Sequence, residues 1–237
     1  KYEPEILKVK KEGRLSVAVD FADLDRFDLV LADQLLESPH SMLDELKTAA
    51  TVVAGEPLAV RVKNLPESRN IRIRNLRAEH LNRFWITDST VKSATEVKPQ
   101  IYEVSFECPS CGTIIQVKQD APLLQKPEVY ESGRRGDFKQ VSKKMFDIRW
   151  LNVIEPFEIT TGEQPGEIMV FLKEDLTTPR MQKMTDPGSR LRIHGTLKEL
   201  PKRIKGRLST RMDMYIEANH VEPSDIEYED IEITDKD

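Results

Sequence analysis

At Leu58 the spacing of the apolar residues changes, and that change limits what the chain can fold into more than any other feature of it. Upstream, in DLDRFDLVLADQLLESP, the residues Leu24, Phe27, Leu31 and Leu35 recur three or four apart, which aligns them on one face of a helix. Ser38 and Pro39 end that helix and open a second over SMLDELKTAATVV, since serine caps and proline fits the first turn. Gly55-Glu56-Pro57 stops the second helix. Downstream, LAVRV, FWITDSTV and IYEVSF alternate or cluster β-branched and aromatic residues with a period of two, as strands do. The same pattern resumes at FDIRWLNVIE and runs through EIMVFL, RLRIHGTLKEL and MDMYIEANHVE. The expected class is therefore α+β and mostly β: a helical subdomain over residues 1–57, then strands. Five or more strands with long connections and no long helix suit an OB-fold barrel, with a sandwich as the alternative.

Between the two β blocks, residues 107–144 hold a CPSCG knuckle, two prolines and several glycines, and read as an insertion into the β domain. That leaves 58–106 and 145–221 as its two parts and 222–237 as an acidic linker. Across 237 residues, a 38% hydrophobic content is enough for real cores. No run of eighteen apolar residues occurs and the N-terminus lacks the pattern of a signal peptide. A soluble, intracellular protein of the cytoplasm or nucleoid, with no membrane partner, is expected. Cys108 and Cys111 are the only cysteines, too close together to staple a fold, and suit a metal knuckle or redox pair better.

The net charge of −5 hides where the positive charge lies, because Glu222 to Asp237 carries −7 and residues 1–221 are left at +2. In TLKELPKRIKGRLSTRMDMYI, six basic residues (Lys198, Lys202, Arg203, Lys205, Arg207 and Arg211) face a single acid before the strand resumes, Glu199. Strand-like flanks and a central Gly206 make this a β-hairpin with a cationic tip, suited to neutralising phosphates; a solvated surface hairpin is the alternative. A second stretch, RVKNLPESRNIRIRNLRAEHLNR, carries Arg61, Lys63, Arg69, Arg72, Arg74, Arg77 and Arg83 against two acids. Arginine favours planar recognition of phosphate or carboxylate, either on a neighbouring subunit or within internal salt bridges. CPSCG has the spacing of half a zinc ribbon, but a structural zinc needs four ligands, and neither a further cysteine nor a histidine lies between Gly112 and Trp150. No phosphate loop, nucleophile elbow or HExxH pair occurs, so no catalytic residue is assigned and this segment is not expected to hydrolyse ATP.

Several stretches together, in order, resemble the N-terminal region of archaeal-type minichromosome maintenance (MCM) replicative DNA helicases. They are SVAVDFADLDRFDLVLADQLLESP, VKSATEVKPQIYEVSFECPSCG, FDIRWLNVIEPFEITTGEQPGEIMVFLKEDL and PGSRLRIHGTL, the last with Ser189 at a usual aspartate. The resemblance implies a helical subdomain, an OB-fold and an inserted zinc-ribbon-like subdomain, assembled as a hexameric ring with single- or double-stranded DNA in its channel. It places Lys202, Arg203, Lys205 and Arg207 on the hairpin that enters the channel, and Lys92 and Lys98 near basic positions that bind single strands. Thr161, Gly162, Glu163, Gln164, Pro165 and Gly166 match the loop that communicates with the C-terminal ATPase domain of the parent chain. The parent implied is an ATP-dependent helicase using ATP and magnesium, whereas the 237 residues present are expected to need no cofactor. Val129 and Ser132 stand where the second cysteine pair belongs, so the metal site looks broken and zinc is not expected. A free-standing OB-fold single-stranded DNA-binding protein is the alternative reading.

Overall fold

The structure, a computed structural model, describes residues 2–108, 111–119, 124–127, 138–160, 164–200, 203–204, 207–210 and 212–224. It divides into two compact units, Lys1–Thr95 with Trp150–Asp237, and Glu96–Arg149. In chain order the regular elements are α1 Glu3–Lys11, β1 Ser16–Asp20, α2 Phe21–Phe27, α3 Leu29–Glu37, α4 Pro39–Ala54, β2 Ala59–Lys63, β3 Phe84–Ala94, β4 Lys98–Glu107 and β5 Ile114–Lys118. They continue with β6 Lys139–Ile154, β7 Glu167–Lys173, α5 Pro179–Met184, β8 Arg190–Leu200, β9 Arg203–Ile204, β10 Arg207–Leu208 and β11 Asp213–Pro223. Among the described residues no helix is long and apolar enough to cross a membrane.

In the first unit, α1 to α4 pack around a parallel pair of strands, β1 and β2, with Val17 opposite Val60 and Val19 opposite Val62. The single helix expected across Leu24 to Leu35 is two. Asp28 sits in extended backbone (φ −156°, ψ 110°), and its carboxylate accepts from the N–H groups of Val30 and Leu31 at 2.9 and 3.2 Å. It thus ends α2 and caps α3. The break takes Phe27 off the buried face: Phe27 is 81% exposed, whereas Leu35 is fully buried beside Phe21, Met42, Phe84 and Ile86. Helix α4 stops at Gly55, whose φ of +74° is the left-handed conformation glycine adopts without penalty.

The remainder of this unit is a barrel. Strand β3 runs antiparallel to β8, β8 antiparallel to β11, and β11 parallel to β7. Strand β7 neighbours β6, and β6 pairs back onto β3, Leu151 opposite Ala94 and Ile154 opposite Thr90, which closes the ring. Five strands closed with one parallel pairing form an OB-fold, and the sandwich alternative falls. Alternation along the strands sends Val91, Leu151, Val153, Val170, Leu172, Leu191, Ile193 and Ile216 into one core. At Gly195 a Cβ would lie 2.5 Å from the Ile216 side chain and 2.6 Å from the Glu217 carbonyl, so β8 and β11 approach there as only glycine allows.

The second unit is a smaller antiparallel sheet with β4 between β5 and the first part of β6. Its own core is Val104, Phe106, Cys108 and Phe138, flanked by Ile101, Ile115 and Val117.

Candidate nucleic-acid interface

The longest hairpin in the molecule is β8 with β11, and it is the element that carries the basic stretch. Its ladder runs from Leu191 opposite Pro223 to Leu200 opposite Asp213. Beyond that last pair, β9 and β10 continue antiparallel, Leu208 opposite Arg203 and Arg207 opposite Ile204. The backbone of Arg203 and Arg207 therefore belongs to the distal end of the hairpin, away from the barrel core. Lys202 and Lys205 lie outside the described residues, as do Arg211 and positions 225–237 of the acidic segment.

Lys92 is an exposed residue of β3 in the first unit, and its amine pairs with the Glu167 carboxylate at 2.8 Å. Asn152 donates to the other Glu167 oxygen at 2.5 Å, and these two bonds hold the Glu167 carboxyl below its usual range. Lys98 opens β4 in the second unit, exposed and without an ion pair among the described residues. The two lysines grouped in the sequence reading thus belong to different units.

Of the arginine-rich stretch, Arg61, Arg69, Arg74 and Arg83 find carboxylates inside this chain, which is the internal salt-bridge alternative of the two that the sequence left open. Arg61 is buried, with its guanidinium on Asp175 and Glu174 and on the Asn219 carbonyl. Arg69 and Arg83 share Glu37 at 2.5 and 3.0 Å, and the bond from Arg69 is the main reason the Glu37 carboxyl sits below its ordinary value. Arg74 pairs with the buried Glu155 at 2.7 Å. Arg77 donates to the carbonyls of Arg74 and Leu76 at 2.6 and 2.8 Å. Composition alone could not locate these partners, because they lie in α3, after β6 and after β7.

Of the segment assigned to interdomain communication, Thr161, Gly162 and Glu163 lie outside the described residues, while Gln164, Pro165 and Gly166 lead into β7. Gly166 is clamped at its base. Its N–H donates to Glu155 Oε2 at 3.2 Å, its carbonyl accepts from the Glu155 N–H at 3.0 Å, and a Cβ there would meet the Arg74 nitrogen at 2.8 Å. Glu155 was not singled out from the sequence, and only its one-percent exposure marks it.

A family model described as the MCM OB domain matches residues 72–201, and one described as the MCM N-terminal domain matches residues 1–104. The chain belongs to the MCM family. Among its relatives, the DNA replication licensing factor mcm2 of Xenopus tropicalis is 26% identical over 258 residues, covering 100% of this chain and 28% of that protein. The licensing factor mcm5-B of Xenopus laevis is 28% identical over 222 residues, 82% of this chain and 29% of that protein. The chain thus spans less than a third of the length of these relatives. The crystal structure of the N-terminal domain of an archaeal MCM superposes with a TM-score of 0.78 at 22% identity, covering 94% of this chain and 93% of that one. That likeness is one of fold.

Within this MCM chain the described residues of the cysteine knuckle end at Gly112, whose φ is +71°. The Cys108 N–H donates to the Thr113 carbonyl at 2.9 Å, and the Gly112 N–H to the Cys108 carbonyl at 2.8 Å. Cys108 is buried and Cys111 exposed, the latter 3.2 Å from the Thr113 hydroxyl. Two thiols supply half of a tetrahedral zinc site, and among the described residues no group of three or more metal-ligating side chains comes together. Val129 and Ser132 lie outside the described residues.

Proposed function

We propose that this chain is the DNA-gripping and ring-assembling portion of an MCM helicase, holding single- or double-stranded DNA with the cationic end of the β8–β11 hairpin. The observation that carries this is the nested pairing that puts Arg203 and Arg207 beyond the last rung of the barrel's longest ladder. A charge carried there meets a phosphate backbone without desolvating the core, and several neighbouring cations can neutralise phosphates together. Lys202 and Lys205 complete the group by sequence. Lys92 and Lys98 serve as secondary phosphate contacts. Thr161 to Gly166 carry the state of the DNA-bound region to a C-terminal ATPase domain, the part of the machine that would use ATP and magnesium. Family membership supports assembly with further MCM subunits, a hexameric ring being the expected form, and an intracellular site of action on replicating DNA. The segment 107–144 is an insertion in the manner of a zinc ribbon.

The test is to replace Lys202, Arg203, Lys205 and Arg207 by alanine and to measure DNA affinity against salt. Each phosphate neutralised on a single strand contributes about −0.7 to the slope of log affinity on log salt, so four contacts give roughly −3 per subunit. The variant is expected to flatten that slope and to bind all sequences more weakly, with little change in stability. Unchanged affinity and slope would transfer the assignment to Lys92, Lys98 and the exposed Arg72.

A further inference from the structure

The outward face of the barrel carries a feature that the basic hairpin does not explain. Strands β11, β7 and β6 lie side by side. Their inward residues are Ile216 and Ala218, Val170 and Leu172, and Leu151 and Val153. The residues that alternate with these point outward, and each of the three adjacent strands has an aromatic one among them: Tyr215 before Ile216, Phe171 between Val170 and Leu172, and Trp150 before Leu151. Ring centroids stand 4.7 Å apart for Trp150 and Phe171, 5.4 Å for Trp150 and Tyr215, and 6.4 Å for Phe171 and Tyr215. All three rings are half-buried, so the row keeps part of its surface in water. Met169, directly opposite Tyr215 in the parallel pair, extends the apolar surface and is 36% exposed.

Cations bound this row on both sides. Lys198 is the direct cross-strand partner of Tyr215, two residues before Leu200, where the ladder passes into the basic end of the hairpin. Lys173, two residues beyond Phe171, and Lys198 share the single carboxylate of Glu217, which leaves a positive balance and holds both amines in place. At the other side stands Lys92, fixed by Glu167, whose second partner Asn152 lies two residues from Trp150 on the same outward side of β6. Burial and the neighbouring Glu217 push the Tyr215 phenol up to about 12, so the ring is neutral at physiological pH.

We propose that Trp150, Phe171 and Tyr215 form a stacking platform for the bases of a single DNA strand that runs from the cationic hairpin toward Lys92. The proposal rests on the DNA-binding reading above and deepens it, because it names which part of the ligand this face takes. Every base has a π-face, so aromatic stacking retains a single strand without reading its sequence, while flanking cations track the phosphates. A duplex, whose bases are already stacked on each other, has nothing to offer such a row. The face therefore selects for single strands, a preference that phosphate contacts at the hairpin do not supply.

Replacing Trp85 by phenylalanine leaves Trp150 as the only indole of the two in the chain. Its emission is followed during titration with oligodeoxythymidylate and with an abasic deoxyribose-phosphate oligomer of the same length, for the otherwise native chain and for Phe171→Leu and Tyr215→Leu. Leucine keeps an apolar outward side chain, and circular dichroism with thermal unfolding checks that each variant folds. The expected result is quenching by the thymidylate and not by the abasic strand. Each leucine variant should weaken thymidylate binding about 5- to 150-fold, the effect of one lost stacking contact, and leave abasic binding as it was. Trp150 emission indifferent to bound thymidylate, or leucine variants that bind it like the parent, would overturn the platform. Loss of self-association in those variants with DNA affinity intact would overturn it too, by showing the face to be a subunit contact. A parent that prefers thymidylate no more than the abasic strand, with hairpin-dependent binding intact, defeats the platform alone. A parent that binds neither strand defeats the DNA reading as well.

Discussion

Glu155 holds Arg74 at two points with one side chain: Oε1 accepts the Arg74 backbone N–H at 2.9 Å and Oε2 accepts its Nε at 2.7 Å. The same carboxylate takes a third bond from the Gly166 N–H, so one buried acid ties the segment between β2 and β3 to both ends of residues 155–166. Burial by itself would raise the Glu155 pKa, and the bonds from Arg74 and Gly166 outweigh it, leaving the pKa below the usual carboxylate range. A depressed acid contributes stability above its unfolded pKa and loses it as pH falls through the folded one. Glu155→Ala is expected to cost about 3 to 5 kcal/mol at neutral pH, the usual penalty for orphaning one half of a buried pair. The difference from the parent should shrink as the pH is lowered through the acid range. Urea unfolding at neutral pH and in acid decides it, and a constant difference would mean the charge is not what Glu155 supplies.

Arg61 joins β2 to the barrel through a forked set of bonds, with Nε on Asp175 at 3.0 Å and a terminal nitrogen on the Asn219 carbonyl at 3.2 Å. Asn219 answers with its side chain, accepting from the Val62 N–H at 2.7 Å and donating to the Val60 carbonyl at 2.9 Å. A lysine has the charge but not the planar fork, so Arg61→Lys should lower stability nearly as much as Arg61→Ala. Equilibrium unfolding of both variants is the check, and a lysine variant as stable as the parent would show that charge alone suffices.

His194 and His220 face each other across β8 and β11 with ring centroids 5.6 Å apart, and both lie near Glu222, at 3.2 and 3.6 Å. Burial is the largest influence on each and lowers both pKa values; Arg192 adds to it at His194, and His194 and Arg61 add to it at His220, against the opposing pull of Glu222. A histidine depressed on folding favours the folded state above its ordinary value of about 6.5 and loses that contribution as pH falls through the lower, folded value. Thermal unfolding between pH 8 and pH 5 should therefore show a steeper acid loss for the parent than for His194→Gln with His220→Gln. Parallel curves for the two would end this account.

The knuckle of Cys108 and Cys111 should not retain zinc. Elemental analysis of protein purified without chelator is expected to find well under one equivalent. A stoichiometric zinc surviving dialysis would point to acidic ligands such as Glu128 or Glu131 in place of the missing thiols.

How much of this was readable from the residues depended on the range over which each signal acts. The barrel strands declared themselves because inward and outward residues alternate along a single strand, as in RLRIHGTL, where Leu191 and Ile193 are buried. The hairpin was readable because its strand-like flanks and its basic residues, Lys198 to Arg211, are neighbours in sequence. The helix break at Asp28 was not, since an aspartate interrupts no apolar spacing and only its two capping bonds reveal it.

The sequence by itself determined the change from helical to strand spacing near Leu58, the order of the strand segments, the basic stretch between two of them and the resemblance to the MCM family. Those properties follow from local backbone geometry and from residue order. The tertiary structure alone decided where the charges of the arginine-rich stretch end. Arg69, Arg74 and Arg61 meet Glu37, Glu155 and Asp175 at separations of 32, 81 and 114 residues. It alone assembled Trp150, Phe171 and Tyr215 into one row, because adjacency of β6, β7 and β11 arises only when the barrel closes, and closure depends on the register of every strand at once.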